Sequence, residues 1–248
     1  MISKEELARI AQQTGLPLYL QEKEYLLKLF LASYYHRYRA VFKGGTCLRY
    51  LFGVERFSED LDFNIKTPKI FQQEVRRTLE EFQLRGIEWR FLNEEIFSEA
   101  YTCEITCKGP LSSGTGQTQN KFRIDAGYRL GTMKKPEWKV MKSEYSDSKE
   151  NILVLTMAIE EIMAEKVMAL FQRRKGRDLY DLWFLTSRGV KLDQNLLQKK
   201  VKRENLKIDV ENIVSQQDYE RDMKRLSPQF IPYEEVRKKV LAVLREKT

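Results

Sequence analysis

The stretch that decides the fold runs from Lys43 to Asn64, KGGTCLRYLFGVERFSEDLDFN. A turn, Gly44-Gly45-Thr46, is followed after thirteen residues (47–59) by Asp60-Leu61-Asp62, which opens a strand-like run. Two glycines let the backbone approach phosphate oxygens closely. Side chains alternate faces along a strand. Asp60, Asp62 and Asn64 therefore share one face, while Leu61, Phe63 and Ile65 share the other and enter the core. Two carboxylates one residue apart on one strand face can share divalent metal ions. A short helix over 47–52 would turn its N-terminal amides toward phosphates. Together these features point to a site for a nucleoside triphosphate and its Mg²⁺ or Mn²⁺. Ser58 either contacts a phosphate or holds the turn into Asp60. Arg49 and Arg56 flank the site and are placed to pair with phosphates, with surface solvation the favoured role for Arg56.

The segment 121–128 repeats the same logic. Lys121, Arg123 and Asp125 share one face, and Phe122, Ile124 and Ala126 the other. On a neighbouring strand, Asp125 would complete a metal-binding set with Asp60 and Asp62, because three carboxylates repel one another unless cations neutralise them. The alternative for Asp125 is a solvent-facing strand residue.

A second unit, EKVMALFQRRKGRDLYDLWF, spans 165–184. Lys166 falls inside an apolar helical stripe of Ile159, Ile162, Met163, Leu170 and Phe171. An ammonium buried without a partner is costly, so Lys166 needs a carboxylate or a triphosphate, or must snorkel outward. Arg177 and Asp181 are spaced as an i, i+4 pair. Asp181 precedes Leu182-Trp183-Phe184, so its surroundings should be dry. Arg173, Arg174 and Lys175 form a basic turn that suits an RNA-binding wall, or a solvated turn.

The remaining signals narrow the class. The 248 residues carry 44 Lys+Arg against 36 Asp+Glu, a net +8 that favours a polyanionic partner such as nucleic acid. A solvated basic surface accounts for the charge equally well. His36 is the only histidine, which removes His-based zinc centres and Ser-His-Asp triads. Cys47, Cys103 and Cys107 are odd in number and form no CxxC pair, as expected of reduced thiols in a cytoplasmic protein. No signal-peptide core and no membrane-length apolar run is present, so no membrane association is expected. No GxxxxGK[ST] pattern occurs, which argues against a P-loop.

Periodicity predicts helices at the N-terminus (capped by Ser3 with Glu6), at 21–38, and from a Thr67-Pro68 start to residue 84. It predicts strands at 61–65, 87–92, 101–107, 121–129 and 152–156. The Gly-rich loop GPLSSGTGQTQN (109–120) lies between two of them. From residue 156 onward helical periodicity takes over, at 158–173, 177–188, 193–203, 216–226 and 233–246. The expected class is α+β: a mixed-sheet domain over 1–156, a helical bundle over 157–248, and a cleft between them. The basic stretches KKVKREN (199–205) and KVLAVLREK (239–247) suit a polyanionic partner, and solvated helix faces explain them about as well.

KGGTCLRYLFGVERFSEDLDF, with AEKVMALFQRRKGRDLYDLWFL, resembles the AbiEii/AbiGii and MenT-like toxins of the DNA polymerase β-like nucleotidyltransferase superfamily. Thr46 stands where that superfamily has serine. The resemblance implies that Gly44, Gly45 and Thr46 bind the triphosphate, that Asp60 and Asp62 bind metal, and that Lys166 holds phosphate. It implies that Asp181 acts as base or positions the acceptor, and that Ser58 matches a hydroxyl open to phosphorylation. It further implies transfer of NMP from an NTP to an RNA, such as the tRNA 3′ end, in a toxin–antitoxin or phage-defence system with a cognate antitoxin. A protein or small-molecule acceptor, or a non-catalytic RNA-binding role, are the alternatives.

Overall fold

The structure is a computed structural model that describes residues 1–114, 118–128, 131–148, 150–227 and 230–245. The chain separates into two compact units. The first comprises Met1–Leu51, Glu59–Gly131 and Glu137–Thr156; the second comprises Phe52–Ser58, Thr132–Pro136 and Met157–Thr248.

In the first unit, α1 (Lys4–Thr14) starts where the Ser3 hydroxyl accepts the Glu6 amide at 3.1 Å, and it ends at Gly15 in the left-handed region. There follow α2 (Leu18–Arg37), β1 (Val41–Lys43), α3 (Gly44–Phe52), β2 (Asp60–Asn64) and α4 (Pro68–Leu84). The strands β3 (Glu88–Ile96), β4 (Ala100–Lys108), β5 (Asn120–Gly127), β6 (Glu137–Lys142) and β7 (Asn151–Thr156) complete the unit. Among the described residues the seven strands make one sheet in the order β3-β4-β5-β2-β1-β7-β6. It is mixed: β2 runs parallel to β5 and β1 to β7, and the other pairs are antiparallel.

The alternation predicted for β2 holds: Leu61, Phe63 and Ile65 are buried, and Asp60 and Asp62 are half-buried. The apolar side builds an aromatic cluster. Phe63 packs on Tyr34 of α2 and Phe71 of α4, with ring centroids 5.5 and 5.3 Å apart, and on Phe42 of β1 at 5.4 Å. Each such pair adds about 0.5–1.5 kcal/mol beyond area burial.

Three departures from the sequence reading have physical causes. First, β6 was not anticipated. Its sequence EWKVMK buries only Met141 fully while Trp138 and Val140 stay exposed, so its pattern is too weak to register, and pairing with β7 defines it. Second, α3 begins at Gly44, three residues earlier than expected, and the chain turns into it from β1 through a left-handed φ of +79° at Gly44, which glycine allows. Third, α2 buries charged side chains that partners remote in sequence satisfy. Glu22 accepts the Leu111 amide at 2.6 Å and Asn120 Nδ2 at 3.1 Å. Lys28 donates to Glu144 at 2.6 Å, and Lys23 pairs with Glu59. The Gly-rich loop is thus anchored through Glu22. The predicted ends at Arg129 and Glu246, and Thr115, Gly116 and Gln117 in that loop, lie outside the described residues.

The second unit contains α5 (Ile159–Arg173), α6 (Gly176–Ser187), α7 (Gln194–Arg203), α8 (Gln216–Leu226) and α9 (Tyr233–Arg245). Helix α6 packs against α5, α8 and α9. Lys200 on α7, read from sequence as part of a solvated basic face, is fully buried between Glu161 at 2.8 Å and Glu165 at 2.9 Å. Glu161 also accepts the amides of Met133 and Lys134, both at 2.8 Å, and so ties the 132–136 segment into this unit.

Gly176 is where α6 meets α8. A Cβ there would lie 2.7 Å from the Tyr219 Cα, against backbone that has no side chain to swing aside. Gly176→Ala is therefore expected to destabilise the protein by about 1–3 kcal/mol, the usual cost of overpacking. Urea unfolding monitored by circular dichroism measures it. An unchanged midpoint would contradict the packing described.

Candidate active site

The open face of the sheet in the first unit carries a row of polar side chains set by strand register. Lys43 on β1 stands opposite Asp62 on β2, Asp62 beside Asp125 on β5, and Asp125 opposite Thr102 on β4. One step along, Asp60 is level with Arg123, and Arg123 with Glu104. In-register neighbours have Cβ atoms roughly 4.5–5.5 Å apart, so two carboxylates and a lysine converge across three strands. A cavity of about 320 Å³ lies over this row, lined by Lys43, Asp62, Thr102, Arg123 and Asp125 together with Phe97 and Tyr101.

The Gly-Gly turn is fitted to this row. A Cβ on Gly44 would fall 2.1 Å from Asp62 Oδ2, so the bare backbone at position 44 is what admits the carboxylate. The positive φ at Gly44 gives a second reason for glycine there. Thr46 is fully buried, and its hydroxyl donates to the Asp60 carbonyl at 2.5 Å, binding α3 to β2. Arg49 donates to Glu24 at 2.8 Å. Asp125 accepts from Thr102 at 2.7 Å and pairs with Arg123 at 2.9 Å. Burial works against the Arg123 charge, but Asp125, Asp60 and Glu104 outweigh it and hold its pKa above the ordinary value. As placed, no three His, Cys, Asp or Glu side chains among the described residues are gathered as a ready-made metal cage. The donor chemistry nevertheless suits a hard cation: carboxylates share one strand face, and Gly44 leaves the space around Asp62 free of a side chain.

The second unit holds a different set of charges, in which Arg56, Lys166, Asp178 and Asp181 are buried and Arg173 reaches in from the surface. Arg56 is 1% exposed and grips Asp181 with two bonds, Nε to Oδ1 at 2.5 Å and Nη2 to Oδ2 at 2.6 Å. Lys166 lies 2.7 Å from Asp181 Oδ2 and 3.3 Å from Asp178 Oδ1. Arg173 closes the network with two bonds to Asp178, at 2.7 and 2.8 Å. Burial would raise the Asp178 carboxyl, but Lys166 and Arg173 outweigh it and hold it at about 2. Asp181 is likewise lowered: burial opposes ionisation, and Arg56 and then Lys166 overcome it.

A family model described as the nucleotidyl transferase AbiEii toxin of type IV toxin–antitoxin systems matches residues 27–244. This chain belongs to that family. It is a nucleotidyltransferase, and membership in a toxin–antitoxin family implies an antitoxin partner. No curated protein matches its sequence. Among solved structures it is similar to MenT4, the nucleotidyltransferase toxin Rv2826c from Mycobacterium tuberculosis H37Rv, with TM-score 0.76 and 18% identity over 99% of this chain and 89% of that one. It is also similar to JHP933 from Helicobacter pylori, with TM-score 0.59 and 23% identity over 90% and 89% of the two chains. At such identities these likenesses speak for the fold.

In this AbiEii-family chain the expected site residues fall into two groups. Gly44, Gly45, Thr46, Arg49, Asp60, Asp62 and Asp125 belong to the first unit, and Ser58, Lys166, Arg173, Arg174, Lys175 and Asp181 to the second. Two expectations are corrected. Arg56 is not a solvated surface residue but the bidentate partner of Asp181. Asp181 does not pair with Arg177 four residues back; its oxygens face Arg56 and Lys166. Arg174 and Lys175 remain exposed, with Arg174 in the left-handed cap of α5. The sequence reading passed over Lys43 and Thr102. The one available signal was the position of Lys43, immediately before Gly44 and opposite Asp62 in a hairpin-like register. No helix among the described residues is long and apolar enough to cross a membrane.

Asp181→Ala is expected to cost about 3–5 kcal/mol in urea unfolding, because it removes the carboxylate that the buried Arg56 grips and leaves Lys166 with Asp178 alone. Asp62→Ala, on a half-buried strand face, should stay within about 1 kcal/mol. Near-equal losses for the two would contradict this division.

The acid limb tests Asp178 separately. Its folded pKa of about 2 lies below the ordinary 3.8. It thus contributes stability that is complete above about pH 4 and is lost as pH falls toward about 2. Asp178→Asn should flatten the stability–pH curve across that window.

Proposed function

We propose that this protein transfers the NMP moiety of an NTP, with Mg²⁺ or Mn²⁺, to the 3′ end of an RNA, most simply a tRNA, and that it does so as the cytoplasmic toxin of a toxin–antitoxin pair. The observation that carries the reading is the Lys43–Asp62–Asp125 row packed against the bare backbone of Gly44. In this reading Asp60 and Asp62 hold the metal, and Asp125 joins them when Arg123 turns to phosphate. The bound metal would supply activation of the acceptor oxygen and neutralisation of the leaving pyrophosphate.

The amides of Gly44 and Gly45, at the N-terminus of α3, face the triphosphate. Lys43 and Arg123 add cationic contacts to it. The acceptor 3′-oxygen forms its bond to the α-phosphorus, the bond to the β-phosphate oxygen breaks, and pyrophosphate departs. The hydroxyl proton passes to a carboxylate of the row. Within the second unit Lys166 offers a cation for phosphate, and Arg56 and Asp181 act as positioning residues for it, since a carboxylate lowered by two cations is a weak base. Ser58 supplies a hydroxyl to the nucleotide. Arg49, paired with Glu24, holds α3 in place beneath it. The exposed Arg173, Arg174 and Lys175 turn, with the net +8, suits RNA phosphates.

Asp60→Ala and Asp62→Ala are expected to abolish transfer of α-labelled NMP to purified tRNA, by about a thousandfold or more, with circular dichroism unchanged. Lys166→Ala should weaken NTP binding and slow transfer by about 10²–10³. Label appearing on a protein or a small molecule instead of RNA would reassign the acceptor. A folded Asp60/Asp62 double alanine variant with near-full transfer would falsify the metal assignment.

A further inference from the structure

A second cavity in the first unit, of about 1240 Å³, shares no residue with the one over the acidic row. It opens between the C-terminal end of α2, the C-terminal end of α4 and the β6–β7 hairpin. Three of its features call for explanation together.

The first is charge. Arg37, Arg39 and Arg85 line the cavity against two carboxylates, Glu81 and Asp147. Glu81 pairs with Arg37 at 3.2 Å, and Asp147 accepts the Tyr25 hydroxyl at 2.6 Å. The second is a flat platform. Trp138 is 50% exposed, and the Arg39 guanidinium lies over its ring at 5.5 Å from the centroid. The third is an unanswered polar pair. Ser33 is 4% exposed and its hydroxyl has no hydrogen-bond partner among the described residues; Asp147 Oδ1 is buried and likewise lacks one. Both residues line the cavity. Buried polar atoms are nearly always satisfied, so such a pair marks where a ligand or water completes the bonding.

These features match the chemistry of a nucleic-acid single strand. Such strands bind where a cationic groove follows the phosphates and planar side chains stack on the bases. A base edge carries both donors and acceptors, which answers Ser33 as donor and Asp147 as acceptor. An acidic peptide would use the arginines but leave the Trp138–Arg39 platform and the buried polar pair unexplained. The volume exceeds the roughly 300–1,000 Å³ of ordinary small-ligand sites, as a chain of nucleotides requires.

We propose that this cavity binds a single-stranded stretch of the RNA acceptor, with a base stacked on Trp138 and adjoining phosphates on Arg37, Arg39 and Arg85. The inference rests on the reading of the acceptor as RNA. It adds a substrate-holding surface that takes no part in the chemistry.

The test is the affinity of the full chain for fluorescently labelled tRNA and for oligouridylate, followed by anisotropy at low and at physiological salt. Trp138→Ala should weaken binding about 10-fold, and Trp138→Phe should restore most of it. Arg39→Ala should weaken binding and lower the slope of log affinity against log salt by about one. Lys69→Ala, an exposed residue at the opposite end of α4, should change nothing. Trp138 and Arg39 lie at the surface, so these variants are expected to fold, and circular dichroism checks it. Wild-type affinity in the Trp138→Ala and Arg39→Ala variants overturns the proposal. So does absence of salt-dependent RNA binding by the unmodified chain. Trp138→Ala and Arg39→Ala variants that keep RNA binding but lose the binding of poly-L-glutamate shown by the unmodified chain overturn it in favour of an acidic polypeptide. NMP transfer to the same tRNA separates the two readings: RNA that binds through Trp138 yet receives no label supports the cavity assignment while removing the acceptor reading.

Discussion

A β-strand must send successive side chains to opposite faces, and the first unit depends on how β2 uses that constraint. Leu61 and Phe63 go to one face and seat the sheet on α2 and α4 through Tyr34 and Phe71. Asp60 and Asp62, interleaved with them, have no choice but the other face. Stability and acidity are thus written into one five-residue strand, and a one-residue slip would exchange them. Both neighbours of β2 enforce the register, β1 from one side and β5 from the other. The consequence is that Lys43, Asp62 and Asp125 are brought level from three separate parts of the chain.

The two units solve the problem of placing charge in opposite ways. On the sheet face of the first unit the carboxylates are half-buried and bounded by a cavity, and Asp125 is partnered by Arg123 and Thr102. Within the second unit, Arg56, Lys166, Asp178 and Asp181 are out of solvent, and each cation meets a carboxylate. Desolvated ions survive only when paired in this way. The same rule explains Lys200 between Glu161 and Glu165, and the buried polar side chains of α2. An interior with this many ion pairs specifies its own arrangement, because any other packing strands a charge.

Local pattern was readable wherever one face was apolar and the other polar. The alternation 60–65 and 121–128, the Ser3 cap, the Pro68 start of α4 and the helices of the C-terminal half are all of this kind. Pattern failed where neither face was clean. β6 mixes exposed Trp138 and Val140 with buried Met141, so its strand character comes from pairing with β7. It failed too for charged residues whose partners are remote in sequence. Arg56 looks like any arginine in GVERFSED, and only a carboxylate 125 positions away makes it a core residue.

From sequence alone came the class of the protein. The Gly-Gly turn before the alternating DxD strand, taken with the AEK and GRDLYDLWFL unit, carried the resemblance to the nucleotidyltransferase toxins that the family match over residues 27–244 bears out. Only the tertiary structure decided which charges meet. It set Lys43 and Asp125 beside Asp62, turned Asp181 from Arg177 to Arg56, and enclosed Lys200 between two glutamates. The physical reason is that an ion pair depends on distance in space, and register and helix packing bring together residues that the order of the chain keeps far apart.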